Sequence, residues 1–92
     1  MPQIEIYTSP LCGFCHMAKR LLKKKGAEFT EINVWAEPAR KPEMIERAGG
    51  KRTVPQIFIG GTHVGGCDEL HALEREGKLD AMLAGAGQEG SG

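Results

Sequence analysis

The stretch QIEIYTSPLCGFCHMAKRLLKKKGAEFTEINV, residues 3–34, changes its hydrophobic period twice. Over residues 3–8, Ile4, Ile6 and Thr8 alternate with Glu5 and Tyr7, the period of a strand. Ser9-Pro10 breaks the run. Phe14, Ala18, Leu21 and Leu22 then recur at the spacing of one helix face. Lys23, Lys24 and Lys25 fall in the last turn, where cations suit the carbonyl end of the dipole, and Gly26 is the stop. Residues 28–34 return to a strand, with Phe29, Ile32 and Val34 apolar. Strand, helix, strand within about 30 residues is a βαβ unit, whose two strands run parallel with a right-handed crossover.

Outward from this unit, residues 38–48 predict a second helix, with Met44, Ile45 and Ala48 inward and Gly49-Gly50 at its end. TVPQIFI (53–59) and HVGG (63–66) flank the turn GGT and read as a hairpin. From Asp68 on the pattern is helical, with Leu70, Leu73, Leu79, Met82 and Leu83 apolar, and Gly77 splits it. The order β-α-β-α-β-β-α makes an α/β domain: a four-stranded mixed sheet with helices on both faces. Residues 1–84 form this domain. The tail GAGQEGSG, residues 85–92, has four glycines and no apolar anchor and is expected to be disordered.

Composition removes several functions. Of 92 residues, twelve are basic and twelve acidic, so nothing in the charge favours nucleic acid, and no polybasic run suggests an anionic membrane. No apolar stretch approaches the ~20 residues of a membrane span. The start MPQIEIYTSP lacks the basic, apolar and small-residue regions of a secretory signal. Three cysteines are an odd count and too few for a disulfide scaffold. The expected location is a reducing compartment, the cytoplasm, and there cysteines are more often catalytic or metal-binding.

CGFCH, residues 12–16, fits three chemistries: haem attachment, half of a zinc site, or a redox dithiol. Haem requires export to an oxidising compartment, and the axial candidates Met44 and Met82 sit at apolar helical positions. Zinc could use Cys12, Cys15, Cys67 and His71, but 51 residues separate the two pairs, far beyond the spacing of small zinc domains. The dithiol has a reason in its place. A cysteine at a helix N-terminus faces free backbone N–H groups and the positive end of the dipole, and both favour thiolate. Thiols in C-x-x-C motifs at such sites have pKa values of ~3.5 to 7.5, and the thiolate is the attacking species. Cys12 is then the nucleophile and Cys15, one turn deeper, can attack the mixed disulfide Cys12 forms. His16, in the first turn, reads as a solvent-facing residue.

EIYTSPLCGFCHMAKRLL (5–22), RTVPQIFIGGTHVGGCDEL (52–70) and HALEREGKLDAML (71–83) resemble the dithiol glutaredoxins of bacteria, of the glutaredoxin 3 group. The likeness covers residues 3–83 and rests on C-x-x-C, T-V-P and G-G-C-D in this order. It implies a thioredoxin fold and a cytoplasmic glutathione–disulfide oxidoreductase, acting in cell redox homeostasis on disulfide-bearing or glutathionylated proteins. Glutathione would be its co-substrate. Carried over, Cys12 attacks the substrate, Cys15 resolves protein disulfides, and glutathione re-reduces the enzyme. Pro55 matches the family's cis-proline, and the Val54 backbone would pair with glutathione beside Thr53. Gly66, Cys67 and Asp68 would receive the γ-glutamyl carboxylate at a helix N-terminus, with Asp68 also the N-cap. Arg52 and Arg40 are candidate cations for the glycyl carboxylate, and Tyr7 and Phe14 candidate apolar walls.

Three positions depart from the usual family pattern. Ser9 stands where many members carry Lys, and Gly13-Phe14 where the usual pair is Pro-Tyr. Relatives with a small residue in place of that proline include ones that hold a [2Fe–2S] cluster between two subunits through the Cys12 position and two glutathiones. The alternative function is therefore a cluster-binding carrier or sensor dimer, with a monomer otherwise expected. Cys67 reads as a small packed residue, or else as an exposed thiol.

Overall fold

The computed structural model describes residues 2–85. The Gly-rich tail expected from residue 85 lies, apart from Gly85 itself, outside the described residues. The elements follow the order read from the sequence: β1 Ile4–Thr8, α1 Gly13–Lys24, β2 Thr30–Asn33, α2 Lys41–Arg47 behind a short 3-10 turn at Pro38–Arg40, β3 Gln56–Ile59, β4 Thr62–Gly65, α3 Cys67–Arg75 and α4 Leu79–Leu83. No helix among the described residues is long and apolar enough to cross a membrane.

The strands form one mixed sheet in the order β2-β1-β3-β4. β1 and β2 are parallel, as a βαβ crossover demands, with Glu5 opposite Thr30 and Thr8 opposite Asn33. β3 runs antiparallel to β1, with Ile4 opposite Ile59, and β4 runs antiparallel to β3. The β3–β4 link is a two-residue turn in which Gly60 and Gly61 both take positive φ, 59° and 82°. That is the primed turn whose twist suits a hairpin, and only glycine adopts it freely at both positions.

Helices cover both faces. Ile4, Ile6, Ile57 and Ile59 pack with Ala18 and Leu22 of α1, Leu70 of α3, and Leu79 and Leu83 of α4. Tyr7, Ile32 and Phe58 point the other way and pack with Met44 and Ala48 against α2. A fully buried Leu or Ile of this kind contributes roughly 1.5–3 kcal/mol. The Met44 and Met82 positions belong to packing: Met44 is fully buried and Met82 lies against the first cluster.

β3 is shorter than the 53–59 run suggests. It begins at Gln56, because Pro55 has no N–H for the ladder. Thr53 and Val54 are left outside the sheet. The polarity of the strands gathers four ends at one edge: the C-termini of β1, β2 and β4 and the N-terminus of β3. Cys12, Trp35, Pro55 and Gly66 all leave the sheet at this edge.

Candidate active site

Cys12 is the N-cap of α1, with extended backbone (φ −116°, ψ 103°). Its sulfur takes the place of a serine or threonine oxygen: the Cys15 N–H donates to Cys12 Sγ at 3.0 Å. This N–H and the other free amides of the first turn favour thiolate at Cys12. Cys12 is half-buried, and its Sγ lies 3.6 Å from the Val54 carbonyl oxygen. Cys15 is fully buried and forms a disulfide with Cys12, the two Cα atoms 5.1 Å apart. The pair can therefore exchange between dithiol and disulfide without moving the backbone far. His16 is exposed, as expected.

A groove of about 260 Å³ opens beside this pair, lined by Phe14, Thr53, Val54, Pro55, Gly66, Cys67, Asp68 and Glu69. Seven of these eight were singled out in the sequence. The Val54–Pro55 bond is cis. Gly66 runs close to this wall: a Cβ added there would sit 3.3 Å from both the Pro55 carbonyl oxygen and Glu69 Oε1.

The eighth residue, Glu69, is new. Its Oε1 accepts the Gly66 N–H at 2.7 Å, the carboxylate half of a capping box. Gly66, in extended conformation, is the N-cap of α3 and Cys67 its first residue. The expectation that Asp68 caps the helix is corrected accordingly: it stands in the first turn, two residues inside. The sequence signal was the acidic residue three positions after Gly66.

Two of the expected ligand residues are elsewhere. Tyr7 presents no surface to a groove: it is 0% exposed and packs beneath α2. Its hydroxyl donates to Glu43 and accepts from Arg47 Nη1 at 2.8 Å. Arg47 also holds Glu5 with both nitrogens, at 2.9 and 3.2 Å, and lies 4.1 Å over the Phe58 ring. Burial, with the Glu43 hydrogen bond, pushes the Tyr7 hydroxyl pKa up. Arg40 is engaged by Glu43 through two hydrogen bonds of 3.0 Å and lines no part of the groove. These bonds from Arg40, and the one from Tyr7, hold the Glu43 carboxyl down to about 2. Arg52 is exposed, precedes the groove residue Thr53 in the chain, and makes none of the ion pairs found among the described residues.

Cys67 is buried and packs with its Sγ 3.4 Å from His71 Nδ1, and burial raises its pKa. The packed reading of Cys67 describes it. Among the described residues no three His, Cys, Asp or Glu side chains gather as a metal site, so Cys12, Cys15, Cys67 and His71 do not assemble into the zinc set.

Behind the groove two further residues hold its wall. Gln56 is buried, and its Nε2 donates to the Thr53 carbonyl at 3.0 Å and to Thr53 Oγ1 at 3.2 Å. Its Oε1 must then accept, so His63 carries its proton on Nε2 and donates at 2.7 Å. Both residues went unassigned in the sequence, although a glutamine inside the apolar run QIFI is a polar group that needs partners.

Residues 4–64 match the family described as Glutaredoxin. The chain is 55% identical to a glutaredoxin of Pseudomonas aeruginosa, covering 91% of this chain and 99% of that one. It is 49% identical to glutaredoxin 3 of Escherichia coli, covering 90% and 99%. Among solved structures, the buckwheat glutaredoxin–glutathione complex superposes with a TM-score of 0.84 at 35% identity, over 94% of this chain and 80% of that one. The solution structure of glutaredoxin from Brucella melitensis is 58% identical with a TM-score of 0.79, covering 90% and 89%.

Proposed function

This chain belongs to the glutaredoxin family and is a glutathione-dependent thiol–disulfide oxidoreductase of thioredoxin fold, and we propose that Cys12 is its nucleophile and Cys15 its resolving thiol. The observation that carries this assignment is the asymmetry of the pair. Cys12 is accessible and accepts a backbone N–H at the start of α1, while Cys15 is fully buried one turn behind it. The Cys12 thiolate attacks one sulfur of a protein disulfide, forming a mixed disulfide and releasing the other cysteine as a thiolate. Cys15 then loses its proton and attacks Cys12 Sγ, closing the Cys12–Cys15 disulfide and releasing the second substrate thiol. Two electrons have moved from enzyme to substrate. Two glutathiones return them: the first opens the disulfide as a mixed disulfide with Cys12, and the second displaces Cys12 as the thiol and leaves as glutathione disulfide.

Glutathione is the co-substrate, and its seat is proposed as the groove beside Cys12. Val54, free of the sheet, offers its backbone to the extended tripeptide between Thr53 and Pro55. The first N–H groups of α3, at Cys67 and Asp68, have no intrahelical acceptor and suit the γ-glutamyl carboxylate. Phe14 supplies the apolar wall, and Arg52 the cation for the glycyl carboxylate. The proposed partners are disulfide-bearing and glutathionylated proteins of a reducing compartment, acted on by a monomer. The cluster-carrier alternative gains no specific support. Cys12 is a donor of the type a cluster takes, but Cys15, bonded behind it, has no part in that role.

Replacement of the two cysteines tests the assignment. Cys12→Ser is expected to abolish reduction of a small glutathione mixed disulfide. Cys15→Ser should keep that reaction, which needs one thiol, and lose most reduction of intramolecular protein disulfides. Full activity in the Cys12→Ser protein would sink the assignment.

A further inference from the structure

Among the described residues, four large apolar side chains stand exposed: Leu11 (99%), Phe14 (60%), Met17 (48%) and Trp35 (76%). They are not scattered. Leu11, Phe14 and Met17 bracket Cys12 along the chain, and Trp35 leaves β2 at the same edge of the sheet. Phe14 belongs to the glutathione groove. Leu11 and Trp35, with Ser9 and Pro10, line a second recess of about 160 Å³ that shares no residue with that groove. The chain thus reaches Cys12 from one hollow and leaves it into the other.

Trp35 is held in place. Asn33 Oδ1 accepts the Trp35 N–H at 2.9 Å and the Ala36 N–H at 3.0 Å, and the Glu37 N–H closes onto the Asn33 carbonyl at 2.9 Å. An ordered turn therefore presents an indole to solvent, and none of the four side chains in the recess is charged. Leaving so much apolar surface in water costs free energy that a partner recovers, at ~25 cal/mol per Å² covered.

We propose that the Leu11–Trp35 recess seats an apolar, extended segment flanking the target cysteine of a protein disulfide, and so makes the enzyme prefer disulfides with apolar flanks. The proposal rests on the reading of Cys12 as nucleophile. The recess is continuous with the reaction centre through the Leu11–Cys12 peptide bond. A substrate sulfur brought to Cys12 carries its flanking residues across this rim, since an extended chain spans ~3.3 Å per residue. The groove on the other side offers backbone and helix amides for a charged tripeptide, whereas the recess offers mainly apolar contact, with Ser9 its one polar side chain. A second copy of the chain seated here would close Cys12 to its substrates.

The test uses two synthetic peptides closed by the same intramolecular disulfide, one flanked by Leu and Val and one by Ser and Gln. Wild type should show about tenfold higher kcat/KM for the apolar peptide, the effect of partly covering one Trp and one Leu. The Leu11→Ser/Trp35→Ala protein should lose this preference, while its reduction of the cysteine–glutathione mixed disulfide stays within about twofold. Trp35 is the only tryptophan, so wild-type emission should shift to the blue when the apolar peptide, its cysteines replaced by alanine, is added. Equal kcat/KM for the two peptides in wild type, or a preference that survives in the double variant, overturns the proposal. So does a blue shift on raising protein concentration alone, which would assign the recess to a second copy. A wild type that cannot reduce the small mixed disulfide would instead remove the reading beneath it.

Discussion

At Arg52 and Arg40 the same side chain has two fates. Arg52, beside Thr53, makes no ion pair among the described residues, while Arg40 is held between Glu43 and Glu37. If Arg52 meets the glycyl carboxylate, Arg52→Gln removes one exposed charge-assisted contact, about 1 kcal/mol or roughly fivefold in the KM for glutathione. Arg40→Gln should leave that KM within about twofold. Steady-state kinetics at varied glutathione separate the two, and the reverse order would move the carboxylate subsite to Arg40. The family resemblance nominated both arginines equally, because a sequence says nothing of which carboxylates fold against them. Tyr7 shows the same limit. Alternation placed it opposite Ile4 and Ile6, and it is opposite. What covers that face comes from Glu43 and Arg47, 36 and 40 residues away, and they claim the hydroxyl. Cys12 and Cys15 were legible because their chemistry is local: four residues at a strand-to-helix junction contain the whole device.

The junction between β4 and α3 is the element on which the groove depends. Gly65 has φ +118°, and a Cβ there would stand 2.9 Å from Glu69 Cγ and Oε1. Gly65→Ala therefore meets both backbone strain and a collision, together about 2 kcal/mol. Glu69→Ala loses the Gly66 cap, about 1 kcal/mol. In the double variant the two 2.9 Å collisions are gone and only the position-69 Cβ, at 3.2 Å, remains close. The combined loss, from urea unfolding, should then fall short of the sum of the single losses. A strictly additive result would mean that Glu69 turns away at no cost and does not shape the junction. The hairpin, the G-G-C-D turn and the helix after it were all visible in sequence, as were the βαβ unit and the break at Gly77. The helix start was misplaced from Gly66 to Asp68 because aspartate caps by its own side chain. Here the cap comes from Glu69 reaching back, a bond that only the folded turn brings together.

Two titrating groups, His63 and Glu43, tie distant parts of the molecule and contribute to its stability against pH. His63 joins β4 through Gln56 to the Thr53 wall and stacks on Phe58. Burial first, then the charges of Lys51 and Arg47, lower its pKa from the ordinary 6.5, against an opposing effect of Glu69. The folded protein then binds this proton less tightly than the unfolded chain. Its contribution is full above pH 6.5 and is lost as pH falls through that value towards the folded pKa. Glu43 joins α2 to β1 and is held down from 4.5 to about 2, chiefly by Arg40 and then by Tyr7. Its contribution is full above pH 4.5 and is lost as pH falls towards 2. It is small, because the Glu43 side chain is 40% exposed and solvent screens the pair. Denaturant midpoints measured across this range should therefore decline in two separate steps. His63→Phe should start from a lower plateau, since Gln56 Oε1 loses its donor, but show a flatter decline just below pH 6.5 and an unchanged one below 4.5. Glu43→Gln should do the opposite. A wild-type decline below pH 6.5 that persists undiminished in His63→Phe would detach the groove wall from the molecule's acid response.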